Sequence, residues 1–90
     1  MKRERLFRKQ IKDLKNVTVD YYLTTDCQER VDKYGVCLVK FCTNNLIEEY
    51  ASVDHVWRHR EQAEQIIKQL ADGETTPVSL TDIIDDFLAE

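Results

Sequence analysis

The stretch Val17-Thr18-Val19-Asp20-Tyr21-Tyr22-Leu23-Thr24-Thr25 places Val17, Val19, Tyr21 and Leu23 on one side of an extended chain and Thr18, Asp20, Tyr22 and Thr24 on the other. A period of two in β-branched and aromatic residues reads as a half-buried strand. Downstream, Tyr34-Gly35-Val36-Cys37-Leu38-Val39-Lys40-Phe41-Cys42 has the same residue types, and the polar run from Asp26 to Lys33 separates the two strands as a turn. Asn44-Asn45 tolerates positive φ and suits a hairpin, so Leu46 to Val53 is expected to return as the next strand. Asn45 with Glu48 three residues on also fits a helix start, which would make Leu46 to Leu70 one long helix. The strand is preferred, because Ile47, Tyr50, Val53 and Trp57 do not stay in phase with Ile66 and Leu70.

Beyond this meander the period changes. Ala63, Ile66, Ile67 and Leu70 line one side of a helix, with Glu64 and Lys68 spaced as an i, i+4 pair and Gly73 placed to close it in a left-handed conformation. Leu80, Ile83, Ile84, Phe87 and Leu88 form a second apolar stripe. Ser79 with Asp82 three residues on predicts a capping box, leaving Pro77 in the preceding turn. Helices are therefore expected over residues 58–72 and 79–88, after a β-meander over 16–54. Each has one apolar stripe, so both need a further surface to pack against. The fold class is α+β: an antiparallel meander of three or four strands, followed by two C-terminal helices packed on one face. If Val36 and Leu38 face the helices, Cys37, Val39 and Phe41 lie on the open face, a patch large enough to invite self-association.

Residues 1–15 are the least determined part. Seven basic groups (Lys2, Arg3, Arg5, Arg8, Lys9, Lys12, Lys15) stand there against Glu4 and Asp13, whereas the remaining residues carry a surplus of nine negative charges, for a net charge of −4. Phe7, Ile11 and Leu14 fit a helix face, while a turn through Asp13-Leu14-Lys15-Asn16 would make the segment a strand paired with the next. A basic arm can meet phosphate, an anionic surface or an acidic protein, and it can also pair with the chain's own acidic groups. Ala71 to Glu90 holds six acidic residues and no Lys or Arg, which disfavours nucleic acid at that end.

Ninety residues accommodate one core, so 1–90 is expected to be a single domain. With 42% hydrophobic and 33% charged residues, two Gly and one Pro, the composition excludes collagen-like and low-complexity chains. No apolar run of membrane-spanning length occurs, and Met1-Lys2-Arg3-Glu4-Arg5 is followed by no apolar leader segment. Three cysteines suit a reducing compartment better than a disulfide framework, and the expected address is the cytoplasm.

The Tyr21-Tyr22 strand, the Tyr34-Gly35-Val36 strand start and the closing run Pro77-Val78-Ser79-Leu80-Thr81-Asp82-Ile83-Ile84-Asp85-Asp86-Phe87-Leu88 resemble a small uncharacterised family of short Firmicutes proteins, a domain of unknown function. The resemblance covers residues 17 to 88, and the Pro-Val-x-Leu-x-Asp-Ile-Ile-x-Asp-Phe-Leu ending is its most specific part. It implies strands first and two helices after, with a strand at the amino terminus, and no known reaction. The chain departs from the pattern where Trp57-Arg58-His59 replaces a small hydroxyl cap.

Cys37, Cys42, His55 and His59 have the spacing of a two-cysteine, two-histidine zinc site. Yet Leu38-Val39-Lys40-Phe41 between the cysteines is strand sequence, not a knuckle, and residues 37 and 42 of a regular strand lie on opposite faces about 17 Å apart. The expectation is no metal and no cofactor, with Cys37 packed as a small apolar residue and both histidines at the surface. No Gly-rich phosphate loop, EF-hand spacing or strained nucleophile turn occurs. Asp82, Asp85 and Asp86 read as a solvated acidic helix face or a docking surface for a basic partner.

The sequence thus points to a non-enzymatic binding or regulatory module working through protein contacts, with a second copy of the chain as one candidate partner and no membrane. Candidate contact residues are Tyr22, Trp57, Asp85, Asp86, Arg5 and Arg8, although core closure is preferred for Trp57. The runner-up is a nucleic-acid-binding protein, acting through the basic arm or the zinc spacing.

Overall fold

The alternation that begins at Val17 runs on through β2 (Thr18–Gln28) and is answered residue for residue by β3 (Val31–Phe41). The computed structural model describes residues 1–12, 16–42 and 46–88. Among these, β1 (Lys2–Gln10) and β4 (Ile47–Trp57) complete one four-stranded antiparallel sheet in the order β1-β2-β3-β4. Helices α1 (Arg60–Asp72) and α2 (Pro77–Leu88) follow, so the architecture is the α+β meander with two C-terminal helices. The segment that could have opened a long helix is β4.

Both helices lie on one face of the sheet. Ala63, Ile67 and Leu70 of α1 and Leu80 and Ile84 of α2 form one core with Val19, Tyr21, Leu23, Val36 and Leu38. Trp57 belongs to this cluster too. Helix α2 lies mainly against β4, and α1 reaches across to β1 and β2. Tyr21 spans the layers: its hydroxyl donates to the Thr75 carbonyl at 2.7 Å, and burial pushes its phenol pKa well up.

Several local details differ from the sequence reading. β1 is a strand, and its register with β2 shifts between Arg5 and Phe7, so Leu6 is an extra, bulged residue. The polar stretch 26–33 is mostly ladder. Glu29 and Arg30, with φ of 52° and 66°, make a two-residue hairpin turn of the kind whose twist matches the flanking strands. The expected Asn44-Asn45 turn falls at 43–45, and that through Asp13-Leu14-Lys15-Asn16 has its first three residues at 13–15, both outside the described residues. β4 runs past Val53 to Trp57 because two more residues on β4 than on β3 lie between the pairs Val36–Val53 and Tyr34–Trp57, with His55 at φ 59°.

Helix α1 begins at Arg60 rather than 58. His59 takes the N-cap position in an extended conformation without a side-chain cap bond. The left-handed residue after α1 is Glu74 (φ 52°), whereas Gly73 stays at φ −85°. Arg60, not Lys68, pairs with Glu64. Helix α2 begins two residues before Ser79. Pro77 occupies its first turn, where a missing N–H costs no helical bond, and Ser79 N–H bonds to the Thr76 carbonyl, which replaces the expected capping box.

Candidate functional site

Because successive strand residues alternate sides, burying Val19, Tyr21, Leu23, Val36 and Leu38 under the helices turns their neighbours outward. The registers arrange those neighbours in rows across the open face. Arg5, Tyr22, Cys37 and Ser52 form one row, Arg8, Asp20, Val39 and Tyr50 the next, and Gln10, Thr18, Phe41 and Ile47 a third. A further row, Arg3, Thr24 and Gly35, is closed over by the irregular part of β4. A Cβ on Gly35 would lie 2.3 Å from the Val53 carbonyl oxygen and 2.7 Å from Asp54 Cα, so only glycine lets β4 cross there. Asp54 Oδ1 accepts a hydrogen bond from the Thr24 hydroxyl at 3.3 Å, and His55 Nε2 meets Asp26 Oδ2 at 2.6 Å.

The Leu6 bulge determines what the basic strand offers this face. Residues 5 and 8 of a regular strand point to opposite sides, but one extra residue brings both guanidinium groups to the open side over Asp20. Arg8 forks onto the carboxylate, Nε to Oδ1 at 2.6 Å and Nη2 to Oδ2 at 2.9 Å, and Arg5 Nη1 approaches at 3.7 Å. Asp20 is 0% exposed although no helix covers it. Burial alone would raise its pKa. The Arg8 hydrogen bonds and the charges of Arg8 and Arg5 outweigh burial and hold the carboxyl below its ordinary range.

Arg3 reaches along the same face. Its guanidinium lies 5.2 Å from the Tyr22 ring centroid, and Nη1 is 3.9 Å from the Cys37 sulfur. Burial pushes the Cys37 thiol pKa up against the weaker opposing pull of Arg3, which is the reverse of what a reactive thiolate needs. Arg3, Tyr22, Val39, Phe41, Ile47 and Tyr50 enclose a hollow of about 250 Å³. Ile47 and Tyr50 on its outer wall are 63% and 73% exposed.

Of the contact candidates from the sequence, Tyr22, Arg5 and Arg8 come together on this face. Trp57 does not: at 9% exposure it closes the core beside Tyr34, the place that the sequence reading preferred over a contact. Asp85 and Asp86 are exposed on α2, on the opposite side of the sheet. The zinc spacing does not become a site. Cys37 lies under Arg3, Cys42 follows the far end of β3 near Leu46, and His55 sits at the other end of the β3–β4 pair, about 20 Å away by strand rise. His59 is exposed at the start of α1. His55 is half-buried against Asp26 rather than at the surface. Among the described residues, no group of three or more His, Cys, Asp or Glu is placed to hold a metal.

Sequence reasoning placed Asp20, Val39 and Phe41 on this side but missed the arginines' hold on Asp20, and missed Ile47 and Tyr50 as members of the face. The available signal was an acidic residue in the middle of a strand, on the side that a basic strand would cover. No helix among the described residues is long and apolar enough to cross a membrane.

Comparison with protein families matches DUF6514, a family of unknown function, over residues 2–90. The match extends through β1, beyond the 17–88 stretch whose motifs carry the resemblance. Neither curated proteins nor solved structures give a match.

Proposed function

This chain belongs to DUF6514, a family of unknown function, and we propose that it is a small non-enzymatic module that binds another protein through the open face of its sheet. The observation that carries this reading is the corner built by Phe41, Ile47 and Tyr50, where two large apolar side chains stand mostly in solvent beside an apolar hollow. Single exposed apolar residues are ordinary, but a cluster rimmed by Arg3 has the anatomy of an interface core with a polar rim. Tyr and Arg are also the residue types that dominate interface energies. The polar groups nearby are engaged structurally: Asp20 by two arginines, Thr24 by Asp54 and Cys37 under Arg3. A cytoplasmic setting goes with this reading, since an exposed free thiol such as Cys27 persists in a reducing compartment.

Paired substitutions on opposite sides of the molecule test it. Tyr50→Ser removes an open-face anchor, whereas Val78→Ser removes a comparably exposed residue of α2 (75%). In-cell crosslinking should give an adduct that is lost in Tyr50→Ser and kept in Val78→Ser, with both variants melting like the parent. Adducts that survive Tyr50→Ser and vanish in Val78→Ser would move the interface to the helical side.

A further inference from the structure

We infer that the segment seated on this face is an acidic peptide of a partner protein, which sets an apolar side chain into the Tyr22–Phe41–Tyr50 hollow and carboxylates against Arg3, Arg5 and Arg8. The inference rests on the reading of the open face as a protein-binding surface and adds the chemistry of its occupant.

Charge is the first argument. The chain as a whole is acidic, at −4, yet among the described residues the rows of the open face hold three guanidinium groups against Asp20 and, at the β4 end, the half-buried Asp54 bonded to Thr24. Asp20 is buried, so what an approaching molecule meets is arginine: the Arg5 and Arg8 side chains are 48% and 56% exposed. Guanidinium groups offer planar arrays of donors, and Arg8 uses only part of its array on Asp20. Carboxylates fit the remaining donors.

Geometry is the second. Arg3 belongs both to the cationic strip and to the wall of the hollow, so charged and apolar subsites are contiguous. From β1 to β4 is three strand spacings, about 14 Å, a distance that four or five residues of extended peptide cross. A short segment with carboxylates at one end and an aromatic or branched side chain at the other therefore spans the face.

The other occupants fit less well. In a symmetric pair of copies joined face to face, β1 lies over either β1 or β4 of the other copy. Across from the arginines would then stand more arginines, or the β4 residues Ile47, Tyr50 and Ser52, which carry no charge, and Asp54, which is already bonded to Thr24. Single-stranded nucleic acid would satisfy the arginines, but its bases need open aromatic faces. Arg3 already covers Tyr22, and the hollow is walled partly by aliphatic Val39 and Ile47.

Selection from a random-peptide display library on the immobilised full chain tests the inference, with Tyr50→Ser protein as the counter-selection. The expected result is enrichment of net-negative peptides carrying an aromatic or branched aliphatic residue. An enriched peptide, resynthesised, should bind the Arg3→Ser/Arg5→Ser variant at least about tenfold more weakly, a loss of about 1.4 kcal/mol. Its Asn/Gln counterpart should bind the parent comparably weakly, and affinity should fall as salt is added. Arg8 is left in place because it holds Asp20, and thermal melts confirm that each variant folds.

Neutral or basic enriched peptides, or none enriched over Tyr50→Ser, would overturn the acidic occupant. The protein-binding reading would still stand if the crosslinked adduct depends on Tyr50. A concentration-dependent dimer in sedimentation that Tyr50→Ser abolishes would replace the peptide with a second copy. An oligodeoxythymidine that binds the same face more tightly than any selected peptide would overturn both readings.

Discussion

The two faces of the sheet are made by the same four strands and are closed by different means. On one face, Val19, Tyr21, Leu23, Val36 and Leu38 are at most 1% exposed because α1 and α2 lie over them. On the other, Asp20, Thr24, Cys37 and Val39 are buried with no helix above them. Long arginine side chains and the irregular part of β4 take the place of a second layer there, laying aliphatic stems and guanidinium planes over the strands. That cover stops short of Phe41, Ile47 and Tyr50. The helices seal the two central strands of the sheet, whereas a layer of side chains leaves a border where another molecule can attach.

The contrast predicts effects of decreasing size. Leu38→Ala, beneath the helices, should cost about 2–5 kcal/mol in urea unfolding, since it opens a cavity in the packed layer. A loss below about 1 kcal/mol would mean that this side is as loosely covered as the other. Gly35→Ala should also destabilise markedly, because the new methyl meets backbone of β4 rather than a yielding side chain. Amide shifts concentrated at Val53 and Asp54 would locate the strain.

Asp20→Ala should cost less, about 1–3 kcal/mol, by leaving Arg8 and Arg5 without their shared acceptor. Its pH signature has a defined sign. The folded pKa is depressed, so as pH falls the unfolded chain takes up the proton first. The stability from Asp20 is thus present above about pH 4, the ordinary carboxyl range, and is lost as pH drops through the lower folded value. In urea titrations across that window, Asp20→Asn should lose less stability than the parent, and parallel curves would show that the arginines do not hold the carboxylate.

Tyr50→Ser should change stability by no more than about 0.5 kcal/mol while abolishing partner crosslinking, because its ring is exposed in the free protein. The smallest expected effect is that of a chelator: EDTA should leave the thermal melt unchanged, given how far apart the strands hold Cys42 and His55.

The legible parts of this fold are those with an undisturbed period. β2 and β3 pair without a register shift from Thr18–Phe41 to Gln28–Val31, and their alternation alone separated Val36 and Leu38 from Cys37, Val39 and Phe41. β1 and β4 were ambiguous because bulges break that period. An extra residue at Leu6 makes Arg5 and Arg8 same-sided at a spacing of three, which imitates a helix. The irregularity between Lys40 and Phe41 does the same for Ile47 and Tyr50 on β4. The open-face site was half hidden for the same reason, since five of its residues, Arg3, Arg5, Arg8, Ile47 and Tyr50, lie on bulged strands. The Glu29-Arg30 turn carries none of the Gly or Asn usual at positive φ, so its tightness had no local signal. The start of α2 was misplaced because proline suits a first helical turn as well as a loop.

The bulge at Leu6 also bears on how the molecule behaves in a crowd. β1 pairs with β2 along one side only, so its other side presents a row of backbone groups to any extended chain nearby. A kink in the middle of that row, flanked by like-charged arginines, interrupts the continuous zipper that strand-by-strand stacking into fibrils requires. An open strand edge with a kink and like charges at its middle is a poor template for such stacking, even beside an exposed apolar corner.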